Sequence, residues 1–125
     1  MVKRMPTHCK DETCASCVVA GDTIYLAHHA GGFSVPDIAH QTRAAFESMK
    51  ATLASVGATL DDVAQINYYI RDTENFRKGA DVFAEYFRQG GVARMTITSD
   101  FIDPRCLCMI DGIAYKPSEK TLDTN

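Results

Sequence analysis

A single arginine, Arg94, interrupts the apolar and hydroxyl-bearing stretch ARMTIT. Side chains alternate along a strand, so Arg94, Thr96 and Thr98 share one face while Ala93, Met95 and Ile97 share the other. A guanidinium on such a face can hold a carboxylate or phosphate through two parallel hydrogen bonds. It can equally close a structural ion pair or sit at an exposed strand start, and this stretch leaves both readings open. Two histidines, His28 and His29, end the run TIYLA just before Gly31 and Gly32. Unperturbed imidazole titrates near neutrality, so either could move protons. Neighbours on a strand point to opposite faces, so one of the two should reach a given cleft, and position favours His29; the alternative is two polar residues at a strand end. The five cysteines (Cys9, Cys14, Cys17, Cys106, Cys108, with His8 beside the first) raise the question of zinc. On one strand, Cys106 and Cys108 would have Cα atoms about 7 Å apart, whereas two thiolates on a tetrahedral zinc lie only about 4 Å from each other. Burial as small apolar residues fits better, and no metal is expected. A reactive thiol at Cys14 or Cys17 is the lesser alternative.

These residues need elements to hold them. SCVVAGDTIYLAHHAGG reads as two short strands around a turn at Ala20-Gly21-Asp22. Ser34 can cap a long helix with Pro36 in its first turn. Its apolar stripe is Ile38, Ala45, Phe46, Met49, Leu53 and Val56, and Gly57 ends it. Residues 59–62 form a turn. VAQINYYI then alternates, with Ala64, Ile66, Tyr68 and Ile70 opposite Gln65, Asn67 and Tyr69. Asp72 or Thr73 can cap a second helix running to about Gln89, with Phe76, Ala80, Phe83, Tyr86 and Phe87 on its stripe. Two strands follow, the first carrying Arg94. In the second, Cys108, Ile110, Gly112 and Ala114 suit a face under packed helices, and Leu107, Met109, Asp111 and Ile113 lie opposite. This order predicts an α+β fold, one sheet with two helices on one face. The second apolar face has no layer in the chain to cover it, so it calls for another subunit.

At 125 residues, 46% hydrophobic and 23% charged, the chain is sized for one soluble domain. The expected division is an irregular segment over 1–12, a folded domain over 13–116 and a flexible tail over 117–125. A net charge of −3, with no basic cluster interleaved with aromatics, argues against nucleic acid as a partner. No apolar run approaches a membrane span. The basic start is followed by PTHCKDETC, not by an apolar segment, so no secretion signal is expected. Cytoplasmic location and free thiols follow from that.

Taken in order, AGDTIYLAHHAGG, Gln41-Thr42-Arg43-Ala44-Ala45-Phe46, VGATLDDVAQINYYIRDTENF, VARMTI and MIDGIAY resemble the RidA family, also called YjgF or endoribonuclease L-PSP. The resemblance spans roughly residues 14–115. It implies a chorismate-mutase-like fold and a homotrimer whose sheets form a central barrel, with small-molecule clefts between subunits. It also implies cofactor-free hydrolysis of imine and enamine acids to 2-keto acids and ammonia. In that setting Arg94 would grip the substrate carboxylate, with Thr96, Met109 and Cys14 around the ligand and His28 or His29 moving protons. Met109 stands where deaminating members carry a glutamate, and a thioether transfers no protons. Cys14 stands for a common tyrosine, Ala27-His28-His29 for S-G-Q, and Ala80 for an asparagine. Asp111 could supply a carboxylate, but it matches the family's second acidic position, where a structural role fits. Two functions are therefore expected in order: a Rid-type deaminase acting on a small carboxylate-bearing metabolite, and a non-catalytic carboxylate-binding or regulatory protein of the same fold.

Overall fold

The alternating and helical patterns fold into one mixed sheet backed by helices. The computed structural model describes residues 2–117. The strands are β1 (Val2–Arg4), β2 (Cys17–Ala20), β3 (Thr23–His29), β4 (Val63–Ile70), β5 (Ala93–Thr98) and β6 (Cys108–Tyr115). They lie in the order β1-β2-β3-β6-β4-β5. All pairings are antiparallel except β4 with β5, which are parallel and joined by a helical crossover. The helices are α1 (Ile38–Ala54), α2 (Phe76–Asp81) and α3 (Phe83–Tyr86). Among the described residues, no helix is long and apolar enough to cross a membrane.

The β2–β3 turn is Gly21-Asp22, with Gly21 at φ 61°. That positive angle is what the first position of a tight II′ turn requires. Ile24 and Leu26 of β3, Ile66, Tyr68 and Ile70 of β4, and Cys108, Ile110 and Ala114 of β6 all point to the helix side. They pack against Ile38, Ala45, Phe46, Met49 and Leu53 of α1, each of which is buried. This is the predicted single sheet with its helices on one face.

Three local expectations change. Residues 2–4 of the segment expected to be irregular form β1, pairing Val2 with Ala20 and Arg4 with Val18. Three residues show no readable alternation, and the hydrogen bonds that make them a strand come from β2. The helix α1 is capped by Asp37, not Ser34: Asp37 is extended at φ −132° and accepts a hydrogen bond from the His40 amide at 2.9 Å. Val35 precedes a proline, which disfavours helical backbone there, so the helix starts only after Asp37. The second helix is broken. A 3-10 turn over Thr73–Asn75 leads into α2 and α3, and helical backbone ends before Phe87. Gly79 lies in α2 because a Cβ there would come within 2.1 Å of the Tyr68 hydroxyl. The expected tail lies, from residue 118 on, outside the described residues.

Gly112 sits at a close approach between β6 and β4. A Cβ added to it would sit 2.5 Å from the Gln65 carbonyl oxygen, a backbone atom that has no rotamer to escape into. Gly112→Ala should therefore lower stability by about 1–3 kcal/mol, the usual range for overpacking. Urea denaturation of the pair of proteins checks this; equal midpoints would contradict it.

The helix-free face is apolar where it is most exposed. Tyr25, Met95 and Ile97 keep 50%, 60% and 38% of their surface open. Met109 and Ile113 lie partly buried on the same face.

Candidate functional site

The parallel register sets Arg94 opposite Ile66 and Thr96 opposite Tyr68. Both therefore face the helix side, at the free edge of the sheet. The Arg94 guanidinium carbon lies 4.9 Å from the Phe83 ring centre and 5.6 Å from that of Phe76. Cation–π contact braces the side chain. Among the described residues Arg94 has no carboxylate partner, so the structural ion pair left open by the sequence is not formed. An exposed, braced, uncommitted guanidinium can accept an anion.

A cavity of about 310 Å³ opens at the other end of the sheet, bordered by His8, His28, Phe33, Phe101, Ile102 and Met109. Its outer wall is the loop between β5 and β6. Arg71 holds that loop from within, donating hydrogen bonds to the carbonyls of Cys106 at 3.0 Å and Asp103 at 3.1 Å. Its guanidinium also lies 5.2 Å from the Phe101 ring centre. Gln41, fully buried on α1, makes three more ties. Its amide nitrogen donates to the carbonyls of Val35 and Arg105, each at 3.0 Å, and its oxygen accepts from the Leu107 amide at 2.8 Å. Arg71 and Gln41 were absent from the sequence-based site. A polar residue on the apolar stripe of α1 was the one available signal for Gln41.

The two histidines take opposite faces, but the assignment is the reverse of the expectation. A bulge between Leu26 and His29 puts three β3 steps against two on β6, and the extra residue inverts the alternation. His29 turns into the core, with 0% of its surface exposed. Its Nδ1 donates to the Ala27 carbonyl at 2.7 Å, and Nε2 accepts from the Thr52 hydroxyl at 2.8 Å. Burial pulls its pKa down to about 4, so it is neutral near pH 7. His29 cannot reach a cleft. His28 borders the cavity with Met109. Partial burial, with a smaller contribution from His8, holds its pKa below the usual histidine value. It is thus a neutral imidazole at neutral pH, able to accept a proton.

His8, noted in the sequence only as a neighbour of Cys9, joins this cluster. Its Nε2 donates to the His28 carbonyl, and its ring centre lies 4.3 Å from that of His29. Asp111 is committed elsewhere: its two oxygens accept from Asn67 Nδ2 and the Tyr69 hydroxyl, each at 2.9 Å. Cys14 sits half-buried in the loop before β2, with its thiol 3.5 Å from the Ala15 carbonyl, and does not line the cavity. Cys17, Cys106 and Cys108 are core residues. Burial raises all three thiols, Cys108 to about 11. Among the described residues, no cluster of three or more metal-ligating side chains has the geometry to hold an ion.

One chain therefore brings His28 to Met109 and leaves Arg94 with Thr96 apart from them, on the helix side of the edge strand. Each half has what the other lacks: a guanidinium without a carboxylate partner among the described residues in one, an imidazole beside a cavity in the other.

Known proteins resemble the chain as a whole. The family described as Endoribonuclease L-PSP matches residues 14–116. A RutC family protein of Pyrococcus horikoshii is 32% identical over 108 residues, covering 82% of this chain and 86% of that one. A protein of Acinetobacter baylyi named 3-aminoacrylate deaminase RutC is 32% identical over 81 residues, covering 65% of this chain and 64% of its own. Among solved structures, a yjgF family protein of Streptococcus pyogenes superposes with a TM-score of 0.84 at 32% identity, over 94% of this chain and 98% of its own.

Proposed function

The chain belongs to the endoribonuclease L-PSP family, also called RidA or YjgF, and from that premise we propose that it is a cofactor-free hydrolase of small imines or enamines that carry a carboxylate. The observation that carries this reading is Arg94: an exposed guanidinium braced by Phe76 and Phe83, with no acidic partner among the described residues. The similarity to a protein named 3-aminoacrylate deaminase agrees with it. The working cleft lies between subunits, where Arg94 of one chain meets the His28 cavity of the next. The exposed apolar face of Tyr25, Met95 and Ile97 supports an oligomer, a homotrimer on the family pattern. Free Cys9 and Cys14 suit a reducing cytoplasm.

In this reading Arg94 takes the carboxylate through both guanidinium arms and fixes the imine carbon beside a water, so positioning supplies much of the rate. Neutral His28 accepts a proton from the water as its oxygen bonds to that carbon. The proton then passes to the nitrogen, giving a carbinolamine; the hydroxyl proton moves to the nitrogen in turn as the carbonyl forms and the carbon–nitrogen bond breaks, and a 2-oxo acid and ammonia leave. Met109 takes no part in proton transfer.

Met109 also favours a second reading: a carboxylate-binding protein that does not turn its ligand over. Freshly generated 2-aminoacrylate separates the two. The hydrolase should release ammonia well above the spontaneous rate, and His28→Ala should slow it by about 100-fold, the lower range for loss of a general base. Thermal stabilisation by 2-oxo acids without any turnover would establish the binding protein instead.

A further inference from the structure

We propose that the cavity beside Met109 receives the substrate's own side chain, and that this side chain is bulky and apolar, of the branched, thioether or aromatic kind. The inference rests on the carboxylate-imine reading above and adds the class of substrate.

Once Arg94 holds the carboxylate and the imine carbon meets the water, the remaining substituent on that carbon must go somewhere. In the inter-subunit cleft proposed above, the space on offer is the His28 cavity, about 310 Å³ in the single chain. That is within the size range of pockets that take whole small-molecule ligands, far more than a methyl or methylene group fills. Phe33, Phe101, Ile102, Cys106 and Met109 form its apolar side, with polar lining from His8, His28, Ser48 and Asp103. A methionine thioether packs well against aromatic groups and adapts to irregular shapes. Where relatives with the usual pattern would present a carboxylate, this chain presents an apolar surface.

The charges near the cavity are already spent. Arg105 lies over Phe33 at 5.9 Å from the ring centre, but two of its nitrogens donate to Asp103 at 3.1 and 2.8 Å. Arg71 is tied to the carbonyls of Asp103 and Cys106. Neither brings an uncommitted charge to greet a polar substituent. The wall is also preformed. Gln41 and Arg71 fix the loop carrying Phe101 and Ile102 to α1 and β4, so the ordering cost is not left for binding. Ile102 is fully exposed in the single chain, an apolar group that gains by being covered.

Imines made in place by an amino-acid oxidase test this. Those from leucine, methionine and phenylalanine are compared with those from alanine and 2-aminobutanoate, and binding of the matching 2-oxo acids is followed by thermal shift. The bulky imines should win in kcat/KM by at least about 10-fold, since each apolar group in a fitted pocket discriminates by roughly 10–200-fold. Phe101→Ala should raise KM for the bulky imines and narrow the preference, while Phe101→Leu restores most of it. Equal or better turnover of the small imines overturns the inference and leaves the hydrolase intact. No turnover, with stabilisation by the bulky 2-oxo acids alone, keeps the inference and overturns the hydrolase. Neither turnover nor binding overturns both.

Discussion

Arg94→Ala should reduce kcat/KM for a carboxylate-bearing imine by roughly 30- to 5,000-fold, the factor that matches the 2–5 kcal/mol lost when one partner of a hydrogen-bonded charge pair is truncated. The fold should survive. Arg94 is exposed at the edge of the sheet, makes no ion pair among the described residues, and lies over the rings of Phe76 and Phe83. Cation–π contacts at exposed sites are worth about 0.5–1 kcal/mol, so the melting temperature should fall by a few degrees at most. Arg94→Lys keeps the charge and loses the planar fork, so it should recover only part of the activity. Circular dichroism of each variant beside steady-state assays makes the comparison. A folded Arg94→Ala protein with unchanged kcat/KM would place the anion anchor elsewhere.

Acid should destabilise this protein well above the carboxylate range, through His29. Its pKa is about 4 in the folded chain and near 6.5 when unfolded. Between those values the unfolded state binds the proton and the folded state does not, so stability falls as pH falls. The loss begins near pH 6.5, levels off near pH 4, and amounts to about 3 kcal/mol over the window. His28, also held below its ordinary value, acts in the same direction. Asp103, whose carboxyl is held at about 2 by Arg105, contributes only below about pH 4, so the two effects separate. Urea midpoints at pH 7.5 and 4.5 measure the drop, and His29→Gln should flatten it. Proton uptake on unfolding of the unaltered protein gives the same answer without a variant. An imidazole that titrates near 6.5 in the native state would contradict the burial argument.

Both predictions depend on residues that the sequence marked, though it read them unequally well. Arg94 was legible because strand alternation and the ARMTIT pattern act within a few residues. His29 was legible as a histidine on a strand, but its direction depended on a bulge opposite β6, formed with residues more than 80 positions away. Gln41 and Arg71 escaped for a related reason. They satisfy main-chain carbonyls of the loop after β5, and a carbonyl leaves no trace in the sequence. The close approach of Tyr68 to Gly79 was hidden as well, since it joins two elements through tertiary packing.

Local periodicity, then, determined most elements of this protein: the β2–β3 hairpin, α1, β4 and the two late strands, with their buried and open faces. Side-chain alternation and helical repeat are short-range properties, and they hold wherever the backbone is regular. What tertiary structure alone decided lies where regularity fails or distant segments meet. The bulge sends His29 into the core and leaves His28 at the cavity. The parallel β4–β5 register turns Arg94 to the helix side. Together they separate Arg94 from His28 within one chain, because each side chain's direction is set by the strand paired beside it.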